Sequence, residues 1–266
     1  HDGRRASSRR IAGNTHADHH AMWIDPHDSD HLMIGNDGGF YISHDRGATW
    51  DFALNLPVAT FYAIGVDMRE PYWIYGGLQD NGTFGAPSST RTNTGVTNAD
   101  WIRVAGGDGF YAAVDPLDHN IVYAESQNGA LQRFDVATQE RKNIRPPAEQ
   151  GITHRYNWMA PLIISPHDRA TLYFAANYLF RSRDRGDSWE RISPDLTRNL
   201  NRDSLPIMGM SGPGGHRRNE GVADFGNITT IDESAIRPGL IYVGTDDGLV
   251  QVTQDGGASW QRIDRF

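Results

Sequence analysis

Seven carboxylates stand where acid and base chemistry could be done: Asp37, Asp80, Asp108, Glu125, Asp224, Asp246 and Asp247. Hydrolysis of a glycosidic bond needs two such groups on either side of it, about 5 to 9.5 Å apart, one protonated as acid and the other ionised as base or nucleophile. Asp37, Asp80, Asp108 and Asp246 are the candidates for that pair. Asn36, Gln79, Asn81, His154, Asp224 and Asp247 could grip the hydroxyls of a ligand, and Tyr156 and Trp158 could stack on a sugar ring or pack in a core. His16-Ala17-Asp18-His19-His20 offers imidazoles and a carboxylate to a metal. Side chains alternate along an extended strand, so only His16, Asp18 and His20 could converge. A plainer reading covers the same residues: Asp-Gly pairs make tight hairpins, and loop histidines hydrogen-bond to neighbouring strands. Nothing in the sequence asks for a cofactor.

The scaffold under these residues is repetitive. Ser43-His44-Asp45-Arg46-Gly47-Ala48-Thr49-Trp50 returns as Ser182-Arg183-Asp184-Arg185-Gly186-Asp187-Ser188-Trp189 and as Thr253-Gln254-Asp255-Gly256-Gly257-Ala258-Ser259-Trp260. In such a turn the Asp carboxylate accepts backbone N–H groups, the Gly supplies a positive φ and the Trp anchors in apolar packing. Each copy belongs to a longer unit. A first apolar strand ends at an acidic residue or Ser, as in Trp23-Ile24-Asp25-Pro26, Val66-Asp67, Val114-Asp115-Pro116, Ile164-Ser165-Pro166 and Ile231-Asp232. A second strand follows and closes on a small residue: Gly35, Gly76, Ala124, Ala175 or Gly244. Two more strands then flank the Asp turn or its substitute.

Five such units predict an all-β chain, a β-propeller of four-stranded blades. The blades fall at about 16–56, 57–105, 106–150, 151–225 with an inserted loop, and 226–266, after a polar segment 1–15. In this geometry the turns between second and third strands share one face with the segments entering each blade, and the candidate residues lie there. The Asp turns lie on the opposite rim. Five consecutive blades are expected to belong to a larger propeller of seven to ten, whose open edges missing blades or another polypeptide would cover. The inserted stretch 205–218, with two Met and an Arg pair, reads either as a lid or partner contact or as plain disorder, and 87–98 as a flexible surface loop.

With 29 Gly, 13 Pro and 10% aromatic residues in 266, the chain can bury a large β core. A net charge of −8 argues against non-specific nucleic-acid binding. The absence of cysteine removes disulfides, zinc–thiolate sites and cysteine nucleophiles. No run of ~20 apolar residues could span a membrane as a helix.

The three turns resemble Asp boxes, the BNR repeats of sialidases, xyloglucan-active endoglucanases and sortilin-type receptor domains. Together with Gly35-Asn36-Asp37-Gly38-Gly39, Tyr75-Gly76-Gly77-Leu78-Gln79-Asp80-Asn81-Gly82, Gly106-Gly107-Asp108-Gly109-Phe110 and Val243-Gly244-Thr245-Asp246-Asp247-Gly248, the chain is similar to large bacterial sortilin-like propeller proteins often labelled glycosyl hydrolases. The resemblance implies a structural role for Ser43, Asp45, Gly47, Trp50, Ser182, Asp184, Gly186, Trp189, Thr253, Asp255, Gly257 and Trp260. It implies a binding or interaction module, secreted or periplasmic, with a protein or polysaccharide as partner. The alternative it carries is a glycoside hydrolase. Xyloglucan-active enzymes place a catalytic Asp ahead of a Gly-Gly pair, as Asp37 stands here, but with an intervening residue this chain lacks. The Arg-Ile-Pro signature of sialidases is absent.

Overall fold

The computed structural model describes residues 13–54, 59–206 and 223–263. Two compact units divide the chain, residues 1–60 and 61–266. The first holds one antiparallel sheet, β1 (His19–Ile24), β2 (Leu32–Asn36), β3 (Gly39–Ser43) and β4 (Asp51–Phe52). The second holds four more of the same kind. They are β5 (Phe61–Val66), β6 (Trp73–Leu78), β7 (Gly82–Pro87) and β8 (Ile102–Ala105), then β9 (Gly109–Val114), β10 (Ile121–Ser126), β11 (Ala130–Asp135) and β12 (Arg141–Asn143). After these come β13 (Leu162–Ile164), β14 (Leu172–Ala175), β15 (Leu179–Ser182) and β16 (Glu190–Arg191), then β17 (Ile228–Glu233), β18 (Ile241–Thr245), β19 (Val250–Thr253) and β20 (Gln261–Ile263). Every sheet is a meander in chain order, the blade of an all-β propeller. Among the described residues, helix is confined to three single 3₁₀ turns. Most of the inserted stretch 205–218 and of the polar segment 1–15 lies outside the described residues.

One device ends the first strand of every blade. Asp25, Asp67, Asp115, Ser165 and Ser234 each accept, through a side-chain oxygen, the N–H two residues on, at 2.8, 3.4, 2.8, 3.2 and 3.3 Å. Each also donates its own N–H to a carbonyl at the start of the second strand or one residue before it. These are Asx and Ser turns, and the short polar side chain is what they require. In the fifth blade this corrects the expectation. β17 runs on to Glu233, so Ser234 takes the turn position that the sequence pattern gave to Asp232.

The eight-residue turns join β3 to β4, β15 to β16 and β19 to β20. In the second, the Asp184 carboxylate accepts from Ser188 N (2.8 Å), Ser188 Oγ (2.6 Å) and Ser182 Oγ (2.8 Å), and Ser182 Oγ accepts from Gly186 N (2.8 Å). The first and third repeat these bonds around Asp45 and Asp255. The side-chain bonds from Thr49, Ser188 and Ser259 hold the three carboxyls down at about 2. Gly186 has φ +88° and lies so close to Ile144 that a Cβ would meet its side chain at 2.6 Å; Gly257 bears the same relation to the carbonyl of Ile192. Trp189 Nε1 donates to Ile144 O at 2.6 Å and Trp260 Nε1 to Ile192 O at 3.0 Å. The second and third turns thereby fasten their blades to the residue that follows the outer strand of the blade before.

The core of the second unit lies between blades. Tyr75, Val104, Ala112, Val122 and Phe134 fill the first interface, Tyr123, Leu131, Ile144, Leu172 and Phe174 the second, and Leu179, Ile192, Leu196, Ile228 and Ile241 the third. At Gly76 and Gly244 the small residue has a cause different from the expected approach of a neighbouring sheet. A Cβ on Gly76 would strike the ring of Phe61 in its own blade, and one on Gly244 would press Thr230, also in its own blade. Close approach of the next blade falls instead on Gly65 and Gly77, against the backbones of Ala112 and Gly109.

Candidate functional site

On the face formed by the second-to-third-strand turns and the entering segments, polar side chains of the second unit lie in a connected chain. Asp108 Oδ1 accepts from Asp80 N (2.8 Å), and Asp108 N donates to Gln127 Oε1 (2.8 Å). Asp80 follows β6 with φ +59°. Asn128 N donates to the carbonyl of Trp158 (3.2 Å), which carries the chain of contacts into the fourth blade. There Asn177, fully buried, accepts from Arg155 N (2.9 Å) and donates to Asp195 Oδ2 (2.9 Å). The Arg155 guanidinium reaches Asp195 (2.8 Å), Thr197 (3.1 Å) and the carbonyl of Gly226 (2.9 Å). Asn157 Nδ2 donates to Asn227 Oδ1 (2.9 Å), and Asp246 Oδ1 accepts from Gly226 N (3.0 Å) and Asn227 N (2.9 Å).

One rule runs through these bonds. Gln127, Asn177 and Asp246, each just past a second strand, use a side-chain oxygen to clamp the segment that enters their own blade. Burial pushes the Asp246 carboxyl up against the pull of the two backbone donors. Asp247 accepts from Thr245 Oγ1 (2.6 Å) and from Arg198 N (2.6 Å). Gln79 accepts from the Tyr62 hydroxyl (2.6 Å), and Asn81 Nδ2 donates to Gln79 O (2.8 Å). Asp224 is exposed, and its carbonyl accepts from Asn227 Nδ2.

The two ring candidates separate. Tyr156 is buried against Phe174, under the Arg145 guanidinium at 4.3 Å, and a Cβ on Gly129 would strike its ring at 2.3 Å. It has no face for a sugar, because core packing takes both. Trp158 keeps 38% of its surface exposed and could still stack on a ligand. His154 is packed edge-on to Tyr156, Tyr178 and Phe180, with Nε2 3.3 Å from Glu149 Oε1, so its side chain faces inward.

Glu125 is the carboxyl whose setting the sequence did not convey. It has no exposed surface; Oε1 accepts from Ala160 N at 3.1 Å, and Oε2 has no hydrogen-bond partner. Burial pushes its carboxyl up to about 9, so it stays protonated at neutral pH. The signal was an acid directly after the apolar run Ile121–Ala124 and still within the second strand of its blade. Arg155, Asp195 and Asn227 carried no motif, because their partners come from other strands.

In the first unit the expected trio of His16, Asp18 and His20 does not converge. His16 Nδ1 turns to the Ala17 carbonyl, its ring lies against Gly38, and its backbone carbonyl accepts from Asn36 Nδ2 (3.1 Å). The physical reason is that Asn36 pins His16 into the turn and Asp18 takes a positive φ of 55°, which breaks the alternation on which the shared face depended. Asp37, from the turn between β2 and β3, approaches instead: His20 Nε2 lies 2.5 Å from Asp37 Oδ1, and oxygens of Asp18 and Asp37 lie within 4.8 Å of each other.

The blade geometry defines an all-β propeller, and comparisons with known proteins agree at that level. The extracellular domain assigned to a one-component system of Bacteroides thetaiotaomicron aligns with 97% of this chain and 29% of its own, at 13% identity and a TM-score of 0.50. A nutrient-binding protein of the same organism aligns at 12% identity, 91% and 56% coverage and a TM-score of 0.47. The GH74 xyloglucanase of Xanthomonas campestris aligns at 17% identity, 89% and 36% coverage and a TM-score of 0.44. The chain therefore spans between 29 and 56% of the length of these proteins, and the likeness concerns fold. No protein-family profile matches the sequence. No curated protein matches it either.

Proposed function

We propose that the chain is a sortilin-like, Asp-box propeller module that binds a protein segment or polysaccharide at its mouth without turning it over, outside the cytoplasm and within a larger protein or assembly. The observation that carries this reading is the use made of the mouth carboxylates. Asp108, Asp246 and Asp247 all accept backbone N–H groups of the loops around them. A carboxylate already engaged by backbone N–H groups of neighbouring segments is poorly placed to swing onto a glycosidic oxygen or to activate water. Glu125 holds a proton as a general acid must, but it is enclosed between blades and no ligand reaches it.

The repeated Asp, Gly and Trp contacts support the Asp-box assignment, and likeness to an extracellular domain supports the compartment. Membership of a larger propeller draws support from β1, where Met22, Trp23 and Ile24 remain 54, 45 and 52% exposed. A further blade or a protein partner would cover them. The test is a paired measurement of binding and hydrolysis with xyloglucan, mixed-linkage glucan and sialosides, on the wild type and on Asp37→Asn. Binding without turnover is expected. Turnover abolished by Asp37→Asn would overturn the reading and establish the hydrolase.

A further inference from the structure

A cavity of about 640 Å³ opens at the opposite end of the inner strands, where the first-to-second-strand turns of the second, third and fourth blades meet. Its floor is apolar: Val66, Val114 and Ile164 are the last residues of β5, β9 and β13. Leu117 and Met68 stand at its rim, 63 and 93% exposed.

The charges around it do not cancel. Two carboxylates line the cavity, and both are already matched. Asp67 takes the Arg69 Nε at 2.5 Å together with the backbone N–H of Trp73. Asp115, with almost no exposed surface, takes Arg185 Nε at 2.8 Å, Leu117 N at 2.8 Å and the Tyr123 hydroxyl at 3.3 Å. Arg69 is used up in turn by Asp67, the Tyr75 hydroxyl and the carbonyl of His119. Arg169 is left over: it lines the cavity, is exposed, and faces no acid of its lining that another base has not already matched. His119 also lines the cavity and adds donor capacity. In a chain of net charge −8, an apolar floor under an uncompensated guanidinium is selective for one kind of guest.

We propose that this cavity binds a small organic anion, a carboxylate carried on an aliphatic or aromatic body, with the body on Val66, Val114 and Ile164 and the carboxylate on Arg169. The volume falls in the range of small-molecule sites, and a guanidinium pairs a carboxylate in bidentate fashion. The site lies at the other end of the strands from the mouth and does not depend on the function proposed for it.

Calorimetry or ligand-observed NMR with hexanoate tests the assignment, with hexylamine and hexanol as matched probes and acetate as the probe lacking the body. Hexanoate should bind, acetate and hexylamine should not, and affinity should fall as salt rises. Arg169→Gln, at an exposed position, should weaken hexanoate about tenfold while leaving thermal stability in place. Leu117→Glu should weaken it as well by adding a like charge at the rim. Absence of hexanoate binding, equal binding of hexylamine, or indifference to Arg169→Gln in a folded variant would overturn the proposal. Mouth variants such as Asp37→Asn should leave hexanoate binding unchanged, so failure at one site is distinguishable from failure at the other.

Discussion

Glu125→Gln should make the protein more stable, and more so as pH rises. In the folded chain the carboxyl is held protonated up to about 9, whereas unfolding releases it to its ordinary value of 4.5. A group whose folded pKa is raised contributes fully below the unfolded value and loses that contribution as pH climbs toward the folded one. Between those limits each pH unit removes about 1.4 kcal/mol. By pH 7 the wild type should therefore have lost about 3 kcal/mol through this residue alone. Glutamine keeps the shape and the acceptor for Ala160 N, and it has no proton to give up. Its amide places a donor where Oε2 already lacks a partner, so the unsatisfied position is carried over rather than created. Urea unfolding of both proteins at pH 5, 6, 7 and 8 reads the difference directly, because the other titrating groups are common to the two. The gap in unfolding free energy should widen by about 4 kcal/mol from pH 5 to pH 8. Parallel curves would refute the reasoning, since they would mean that water or a cation reaches the carboxyl and lets it ionise in the folded state.

Asp184→Ala should lower stability by about 1–2 kcal/mol at neutral pH, because the N–H and hydroxyl of Ser188 and the hydroxyl of Ser182 lose an acceptor at a site open to solvent. The folded pKa of Asp184 is depressed to about 2, so the contribution is present above its ordinary 3.8 and is lost as pH falls through about 2; thermal melts of variant and wild type should converge over that window. Asp246→Asn keeps the oxygen that clamps Asn227 N and removes a carboxyl that burial has raised. It should leave stability unchanged below the ordinary carboxyl value of 3.8 and improve it above that value, whereas Asp246→Ala should destabilise at every pH by freeing the entering segment.

How far the molecule could be read from its sequence follows from how far apart the interacting groups lie. The Asp turn was legible because Ser182, Asp184, Gly186 and Ser188 complete their hydrogen bonds within seven residues. Its fastening to the preceding blade was not, since Trp189 meets Ile144 and Trp260 meets Ile192 across 45 and 68 positions. The end of β17 was misread for a related reason. Asp232 matches the residue type of Asp25, Asp67 and Asp115, but the turn needs only a short oxygen at the right register, and Ser234 supplies it. The same tolerance explains the mouth. A clamp on an entering segment needs one acceptor, so Gln127, Asn177 and Asp246 serve equally, and a sequence that varies amide and acid there looks rich in ligand-binding groups. Tyr156 and Trp158 are two residues apart and of similar type, yet one is core and the other half-exposed, because Gly129 and Phe174 arrive from other strands to cover only the first. What the pattern could not carry was unmatched charge. Asp67 and Arg69 are sequence neighbours, whereas the arginine that neutralises Asp115 lies 70 positions on, and only when both pairs are formed does Arg169 stand out as the cation left to meet a ligand.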